Sequence, residues 1–127
     1  MVDIESQVYT RLKAAIGSFA DTSSTYSYAP SRFPFVSITM SDNYMVHLDN
    51  GDSEKYSAVM FEINVYANDK EAKLTAKNIF QIIDTEMYRM NFTRISYTPT
   101  PNLEDATIYR LTARYECETD GTRTYRR

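Results

Sequence analysis

The dipeptide Asn50-Gly51 constrains the possible folds of this chain more than any other feature. It separates a segment that ends in YMVHLD from residues 56–66, where Val59, Phe61, Ile63 and Val65 alternate with a second set of side chains. Both central residues of a type I′ turn need positive φ, so Asn-Gly between alternating segments is a strong hairpin signal. Each arm can extend roughly 30 to 45 Å at ~3.3 Å per residue, and we expect the Asn50-Gly51 end to project from the domain.

Two other segments have the spacing of amphipathic helices. The first ends near Gly17, and its apolar stripe consists of Ile4, Val8, Leu12, Ala15, Ile16 and Phe19. The second begins with a capping-box pattern formed by Asn68 and Glu71. Its apolar stripe consists of Ala72, Ala76, Ile79, Phe80, Ile83, Met87 and Met90. Both stripes are predicted to lie in the core.

The remaining strand-like segments are a short one at residues 25–28 and longer ones at residues 93–98 and 107–117. The order α-β-β-(β)-α-β-β predicts an α+β fold: an antiparallel-dominated sheet, two helices packed on one face and a long projecting hairpin. The length of 127 residues suits one core, so a single domain is expected over residues 1–118. Residues 119–127 lack apolar periodicity and are expected to form a flexible basic tail.

Charge and cysteine content limit the function classes. A net charge of -3 argues against a general nucleic-acid or membrane-surface binder, because both need an excess of cations. Cys117 has no second cysteine to pair with, and the first ten residues lack the charged start and apolar run of a signal peptide. No apolar run approaches the ~20 residues of a membrane span. A protein of a reducing cytoplasm without membrane contact is expected.

The sequence offers little material for catalysis. His47 is the single histidine, lies in a predicted strand and has no recognisable zinc-ligand spacing around it. Cys117 falls on the apolar side of its strand, where a small buried hydrophobic residue is the ordinary expectation. The three glycines form no phosphate-binding loop. We expect no enzyme, no metal site and no cofactor.

Leu74 and Tyr88 lie on the side of the second helix opposite its apolar stripe. Two interpretations stay open: they are scattered exposed apolar residues, which are common on protein surfaces, or they contact a second subunit. The eleven tyrosines allow the same choice, because tyrosine is frequent both in strands and at interfaces. Interface roles are favoured for Tyr26, Tyr28 and Tyr125.

Basic residues concentrate near the end of this acidic chain. The last eighteen positions hold Arg110, Arg114, Arg123, Arg126 and Arg127. These arginines either form a solvated strand face and tail, or line a passage for a polyanion in a ring whose symmetry multiplies a modest local charge.

The connector TPTPNLED holds two of the four prolines. Pro99 and Pro101 push the residues before them into extended geometry, and neither can donate to a sheet ladder. Residues 102–105 then turn the chain toward the last strand. A pre-ordered connector is expected where a loop must hold a fixed shape for a partner.

Two adjoining stretches carry a family resemblance. The run NFTRISYTPTPNLEDATIYRLTARYE, preceded by FEINVYANDKEAKLTAKNIFQIID, resembles the tail-terminator, or head-to-tail joining, proteins of long-tailed bacteriophages. The likeness is clearest over residues 58–116, whereas the first helix and the hairpin agree in order alone. It implies a non-enzymatic α+β protein that forms a hexameric ring on the last disc of the tail tube, stops tube polymerisation and joins tail to head.

The resemblance also implies partners and contact residues. The partners are further copies of the chain, the tail tube protein and a head-completion or connector protein, and DNA passes through the ring without being read. Subunit or tube contacts are then expected at Asn50, Gly51, Pro99, Pro101, Asn102 and Asp105. In such a ring Arg123, Arg126 and Arg127 are expected to face the lumen. The implied location is the virion tail or neck, and the host cytoplasm during assembly.

Rival functions stay open. Another neck component, such as a head-completion or connector protein, binds the portal side rather than the tube. A small enzyme or ligand-binding domain uses His47 or tyrosine side chains in a pocket. An ordinary dimeric interaction module closes by two-fold contacts rather than head to tail.

Overall fold

The computed structural model describes residues 4–24, 33–48, 54–100, 108–119 and 124–125. Its elements are α1 (Glu5–Ile16), a 3-10 turn (Gly17–Phe19), β1 (Asp21–Ser23), β2 (Phe35–Leu48), β3 (Glu54–Ala67), α2 (Ala72–Arg89), β4 (Thr93–Pro99), β5 (Tyr109–Thr119) and β6 (Thr124–Tyr125). The α+β class is confirmed. The strand order differs in two respects. The short strand β1 precedes the hairpin, whereas the strand predicted at residues 25–28 lies outside the described residues, and β6 follows β5.

The sheet has the strand order β1-β2-β3-β5-β4, and β6 pairs with the end of β5. β1 runs parallel to β2, and every other pairing is antiparallel. β3 and β4 therefore run in the same direction with β5 between them, and α2 makes the crossover from one to the other. This split β-α-β arrangement places β4 at an edge of the sheet.

The β2–β3 hairpin is long, as Asn50-Gly51 predicted. Its pairing runs from Phe35 opposite Tyr66 to Leu48 opposite Glu54, with irregularities after Met40, Met45 and His47. The polar SDN segment thus lies within one continuous strand. The last pairs extend beyond Ser57, where β3 stops pairing with β5, so the hairpin projects from the sheet. The Asn50-Gly51 tip lies outside the described residues.

Both helices cover the same face of the sheet. Phe61 of β3 is opposite Met40 of β2 and Tyr115 of β5, and residues directly opposite one another share a face. Phe61, Tyr115 and the apolar stripes of the helices belong to one buried cluster. In α2 the predicted stripe is confirmed for Ala76, Ile79, Phe80, Ile83, Met87 and Met90, which are all buried, whereas Ala72 is half-buried.

Two local predictions at the helix ends are wrong. α1 ends at Ile16 because Gly17 adopts a positive φ of 60°, so Phe19 leaves the helical register and is 66% exposed instead of buried. The capping box at α2 does not form: the N-cap is Glu71, and no side chain caps the helix. Thr75 instead donates a hydrogen bond to Asp69 at 2.9 Å.

The sheet face away from the helices carries a polar network. Thr112 and Arg110 donate hydrogen bonds to Asn64 Oδ1 at 2.6 and 2.9 Å, and Thr100 donates to Thr112 at 2.8 Å. Asn64 is fully buried, and its Nδ2 has no hydrogen-bond partner within the described part of the chain. The helix-covered face of the sheet is thus apolar, whereas the other face combines this polar network with the aromatic pair Phe35 and Tyr66.

Candidate interaction surface

The outward side of α2 carries two large exposed apolar residues. Leu74 is 52% exposed and Tyr88 is 64% exposed, while the residues that face the sheet are buried. They are fourteen positions apart, so at ~100° per residue they lie on nearly the same side of the helix. This side of α2 is therefore an accessible surface with an apolar group near each end.

A groove separates this side of α2 from the edge strand β4. Its larger part has a volume of about 450 Å³, and an adjoining part of about 270 Å³ lies toward Tyr88. The two parts share Asp84 and Arg94 as lining residues. The larger part is lined by Lys77, Phe80, Gln81, Asp84, Thr85, Arg94 and Tyr97. We call this feature the α2–β4 groove.

Aromatic contacts connect the two walls of the groove. Phe80 of α2 meets Tyr97 of β4 edge to face, with ring centroids 5.3 Å apart. The guanidinium carbon of Arg94 lies 4.8 Å from the centroid of the Tyr97 ring, within cation–π range. These contacts hold a flat aromatic and cationic surface on the helix side of β4.

Asp84 joins α2 to both neighbouring strands. It accepts a hydrogen bond from Arg94 Nη1 of β4 at 3.4 Å and one from the Tyr115 hydroxyl of β5 at 3.0 Å. Burial, and then the charge of Asp84, raise the pKa of Tyr115 well above its ordinary value. Tyr115 is protonated at neutral pH, as tyrosines ordinarily are, and its hydroxyl acts as a donor to Asp84 that connects the two walls of the groove to β5.

The cations that line the groove differ in their surroundings. Arg94 is paired with Asp84, whereas Lys77 is exposed and makes no ion pair or hydrogen bond with any residue in the described ranges. The groove therefore presents one uncompensated positive charge beside the Phe80–Tyr97 contact. A partner that offers an apolar group with a nearby carboxylate matches this chemistry.

Ile95 is a further exposed apolar residue, on the edge strand β4. The β4–β5 register shifts between Arg94 and Ser96, which marks an irregularity at Ile95, and Ile95 is 47% exposed. Irregularities of this kind are common in edge strands, where they re-aim a side chain. Sequence reasoning missed Ile95, Asp84 and Arg94, because the edge position of β4 and the approach of α2 depend on the order of the strands.

Several predicted site residues can be located. Tyr88 lines the smaller part of the groove, Leu74 is exposed on the same side of α2, and Pro99 is the exposed last residue of β4. Arg114 pairs with Glu62 at 2.8 Å on the sheet face away from the helices, the face that also holds Arg110. The predicted residues outside the described ranges are Asn50, Gly51, Pro101, Asn102, Asp105, Arg123, Arg126 and Arg127.

His47 and Cys117, which were considered for catalysis, lie on different strands. Cys117 is fully buried, and burial raises its pKa to about 12, which confirms its expected place in the core. His47 lies in β2, on the projecting part of the hairpin. Among the residues that the structure describes, no group of three or more histidine, cysteine or acidic side chains is arranged to hold a metal ion.

Part of the segment expected as a tail is strand. Thr119 ends β5, and Thr124 and Tyr125 form β6, which pairs with Thr119 and Glu118. Tyr125 thus lies beside the sheet, whereas Tyr26 and Tyr28 fall outside the described residues.

Two further findings bear on identity. None of the described helices is long and apolar enough to span a membrane. Comparison with protein-family models and with curated proteins finds no match to this chain.

Proposed function

We propose that this chain is a structural protein of a long-tailed phage or prophage that forms a ring on the end of the tail tube. The ring is a hexamer that ends tube polymerisation and joins the tail to the head. It binds the tail tube protein on one side and a head-completion or connector protein on the other, and DNA passes through it. The protein belongs to the virion tail or neck, and to the host cytoplasm during assembly.

The observation that carries the proposal is the exposed outward side of α2 beside an edge strand. Leu74, Tyr88 and Ile95 are about half exposed or more, and all three lie on α2 or β4, the walls of one groove. Apolar groups gathered at one surface with a polar rim are typical of protein–protein contacts. An edge strand adds backbone groups that a neighbouring chain can pair with. A self-assembling protein needs such a surface.

The residues expected from the resemblance complete the proposal. Pro99 ends the edge strand and lies next to the connector that holds Pro101, Asn102 and Asp105, and we propose this connector as a subunit or tube contact. The hairpin projects, so its Asn50-Gly51 end is proposed as a second contact. Arg123, Arg126 and Arg127 are proposed to face the lumen.

The first experiment is the solution mass over a concentration series, by sedimentation. A hexamer of 14.7 kDa chains has a mass of about 88 kDa, and a species of that mass is expected. The same preparation is then mixed with isolated tail tubes and, separately, with DNA-filled heads. Capping of tubes is expected. Binding to heads alone would favour another neck component, and a chain that stays monomeric in all three samples would overturn the proposal.

A pair of variants tests whether the outward side of α2 takes part in assembly. Leu74→Ser combined with Tyr88→Ser removes the two apolar groups from the outward side of α2 and is expected to abolish the ring. Gln7→Ser, at an exposed position on α1, is the matched control and is expected to assemble normally. Far-UV circular dichroism checks that both variants are folded. A ring of full mass from the double variant would exclude Leu74 and Tyr88 from the assembly contact.

A further inference from the structure

We propose that Phe19 of one copy packs into the α2–β4 groove of the next copy, so that one repeated head-to-tail contact closes the ring. The inference rests on the proposed function, because it names the partner of the same surface. It assigns a role to Phe19, which the fold leaves in solvent at 66% exposure.

The two halves of this contact lie at opposite edges of the sheet. Phe19 ends the 3-10 turn just before β1, which is the first strand in the sheet order, and the groove borders β4, the last strand along the same path. A surface that meets a different surface of an identical copy is heterologous, and it generates a ring when the rotation closes. A ring of this kind requires its two contact surfaces on different sides of the subunit, and the knob (Phe19) and the α2–β4 groove lie at opposite edges of the sheet.

The two halves also lie at the same height along the strands. Asp21 is opposite Phe35, Phe35 is opposite Tyr66 and Tyr66 is opposite Arg110, whose carbonyl accepts a hydrogen bond from the Thr100 amide. The start of β1 is therefore level with the end of β4. A rotation about an axis parallel to the strands keeps this height, so it brings Phe19 to the Tyr97 end of the groove rather than to the Tyr88 end.

The groove is also an unfilled position in the helix layer. A helix with its side chains is ~10 Å wide and strands are ~4.8 Å apart, so one helix covers about two strands. α1 packs on β2, and α2 packs mainly on β3 and β5. The helix side of β4 is left partly uncovered. Phe19 follows α1 directly, at the point where the chain passes from the helix layer to the sheet. It therefore meets a neighbouring copy at the level of the helix layer, where the groove lies.

The chemistry of the two surfaces matches. The groove volume of about 450 Å³ exceeds the ~150 Å³ of an apolar cavity that accepts benzene, and its Phe80 and Tyr97 rings suit an aromatic guest. Buried aromatic anchors are typical of the residues that dominate interface energies.

Disulfide cross-linking tests the contact directly. The variant Ser18→Cys with Gln81→Cys keeps Phe19 intact and places thiols at two exposed positions, one beside the knob and one in the groove. Buried Cys117, whose pKa is raised to about 12, is not expected to react. The matched control is Ser18→Cys with Gln7→Cys, which places both thiols on the α1 side of the molecule.

The expected result is a ladder of cross-linked species up to the hexamer for the Ser18–Gln81 pair and not for the control pair. Phe19→Ser is further expected to raise the concentration needed for assembly by at least about tenfold, as loss of an aromatic anchor does. A ring of about 88 kDa without this ladder would overturn the Phe19 contact and leave the proposed function standing. A ladder that continues beyond six copies in open filaments would keep the contact and contradict the capping ring. Absence of both ring and ladder, alone and with tail tubes or heads present, would overturn both proposals.

Discussion

The two long sides of α2 share one backbone but meet different surroundings. Ile83 and Met87 face the sheet and are fully buried, whereas Leu74 and Tyr88 face away from it and are exposed. All four are large and largely apolar, so residue type alone does not separate them. Their angular position does, because the buried residues repeat with the helical period and the exposed ones fall on the opposite side. One side of the helix stabilises the fold, and the other is available to a partner.

The largest expected effect is on the free energy of unfolding, and it comes from comparing alanine substitutions on the two sides of α2. Ile83→Ala is expected to lower the free energy of unfolding by about 2–5 kcal/mol, because it leaves a cavity in a fully buried site. Leu74→Ala is the matched control and is expected to change it by no more than ~0.5 kcal/mol, since Leu74 is exposed. Urea unfolding of both variants measures the difference. Equal losses would show that the outward side of α2 also supports the monomer.

The second effect is a pH dependence of the free energy of unfolding, and it comes from Cys117 on the sheet face that the helices cover. Burial raises the pKa of Cys117 from 9.0 to about 12, so the folded state keeps a proton that the unfolded chain loses. This contribution is complete below pH 9.0 and is lost as pH rises through about 12. Through this group the free energy of unfolding changes by at most ~1.4 kcal/mol per pH unit.

Cys117→Ala isolates this contribution. The variant is expected to be less stable at neutral pH, because it leaves a small cavity, but its stability is expected to fall less steeply above pH 9.0. Urea unfolding across the alkaline range measures both slopes. Parallel curves for the two proteins would mean that the thiol ionises equally easily in the folded and unfolded states.

A smaller effect is expected where the buried side meets the groove. Tyr115→Phe removes the hydrogen bond to Asp84, and we expect a loss of ~1 kcal/mol, because the half-exposed carboxylate can bind water instead. Tyr97→Phe is the matched control, since the Tyr97 hydroxyl donates no hydrogen bond within the described ranges. Thermal unfolding compares the two. A larger loss from the Tyr97 variant would contradict the role given to Asp84.

The smallest effect is expected at the solvent-exposed contact between the helices. Arg11 of α1 contacts Glu86 of α2 at 3.0 Å, and Arg89 contacts the other oxygen of the same carboxylate at 2.9 Å. Arg11→Gln is expected to cost ~0.5 kcal/mol, because the arginine is half exposed and Arg89 remains as a partner. The loss is expected to vanish at high salt. A loss that persists at high salt would indicate a packing role for the Arg11 side chain instead.

The sequence was informative wherever the signal is local. The buried stripe of α2, the hairpin around Asn50-Gly51 and the burial of Cys117 follow from periodicity and turn chemistry, which depend on neighbours within a few positions. Phe19 shows the limit of this reasoning. Its spacing continues the α1 stripe, but the positive φ of Gly17 ends the helix first and turns Phe19 into solvent. At that position backbone conformation outweighed the apolar pattern.

The candidate surface was half predictable. Leu74 and Tyr88 are visible in the sequence as apolar residues on the wrong side of a helix, and the structure leaves both exposed. Arg94 and Ile95 carry no comparable signal, because an alternating strand looks the same at the centre of a sheet and at its edge. The place of Arg94 in the groove and of Ile95 on an edge strand follows from β5 lying between β3 and β4.

The sequence by itself determined the α+β class, the two helices, the long hairpin and most of the core, because each is encoded by a short-range pattern of apolar residues and turn formers. The tertiary structure alone decided which strand forms the edge, that Asp84 meets both Arg94 and Tyr115, and that Phe19 and the groove lie at opposite edges. These features depend on pairings between residues far apart in the chain. Long-range pairing reflects the packing free energy of the whole sheet, and no local segment carries that information.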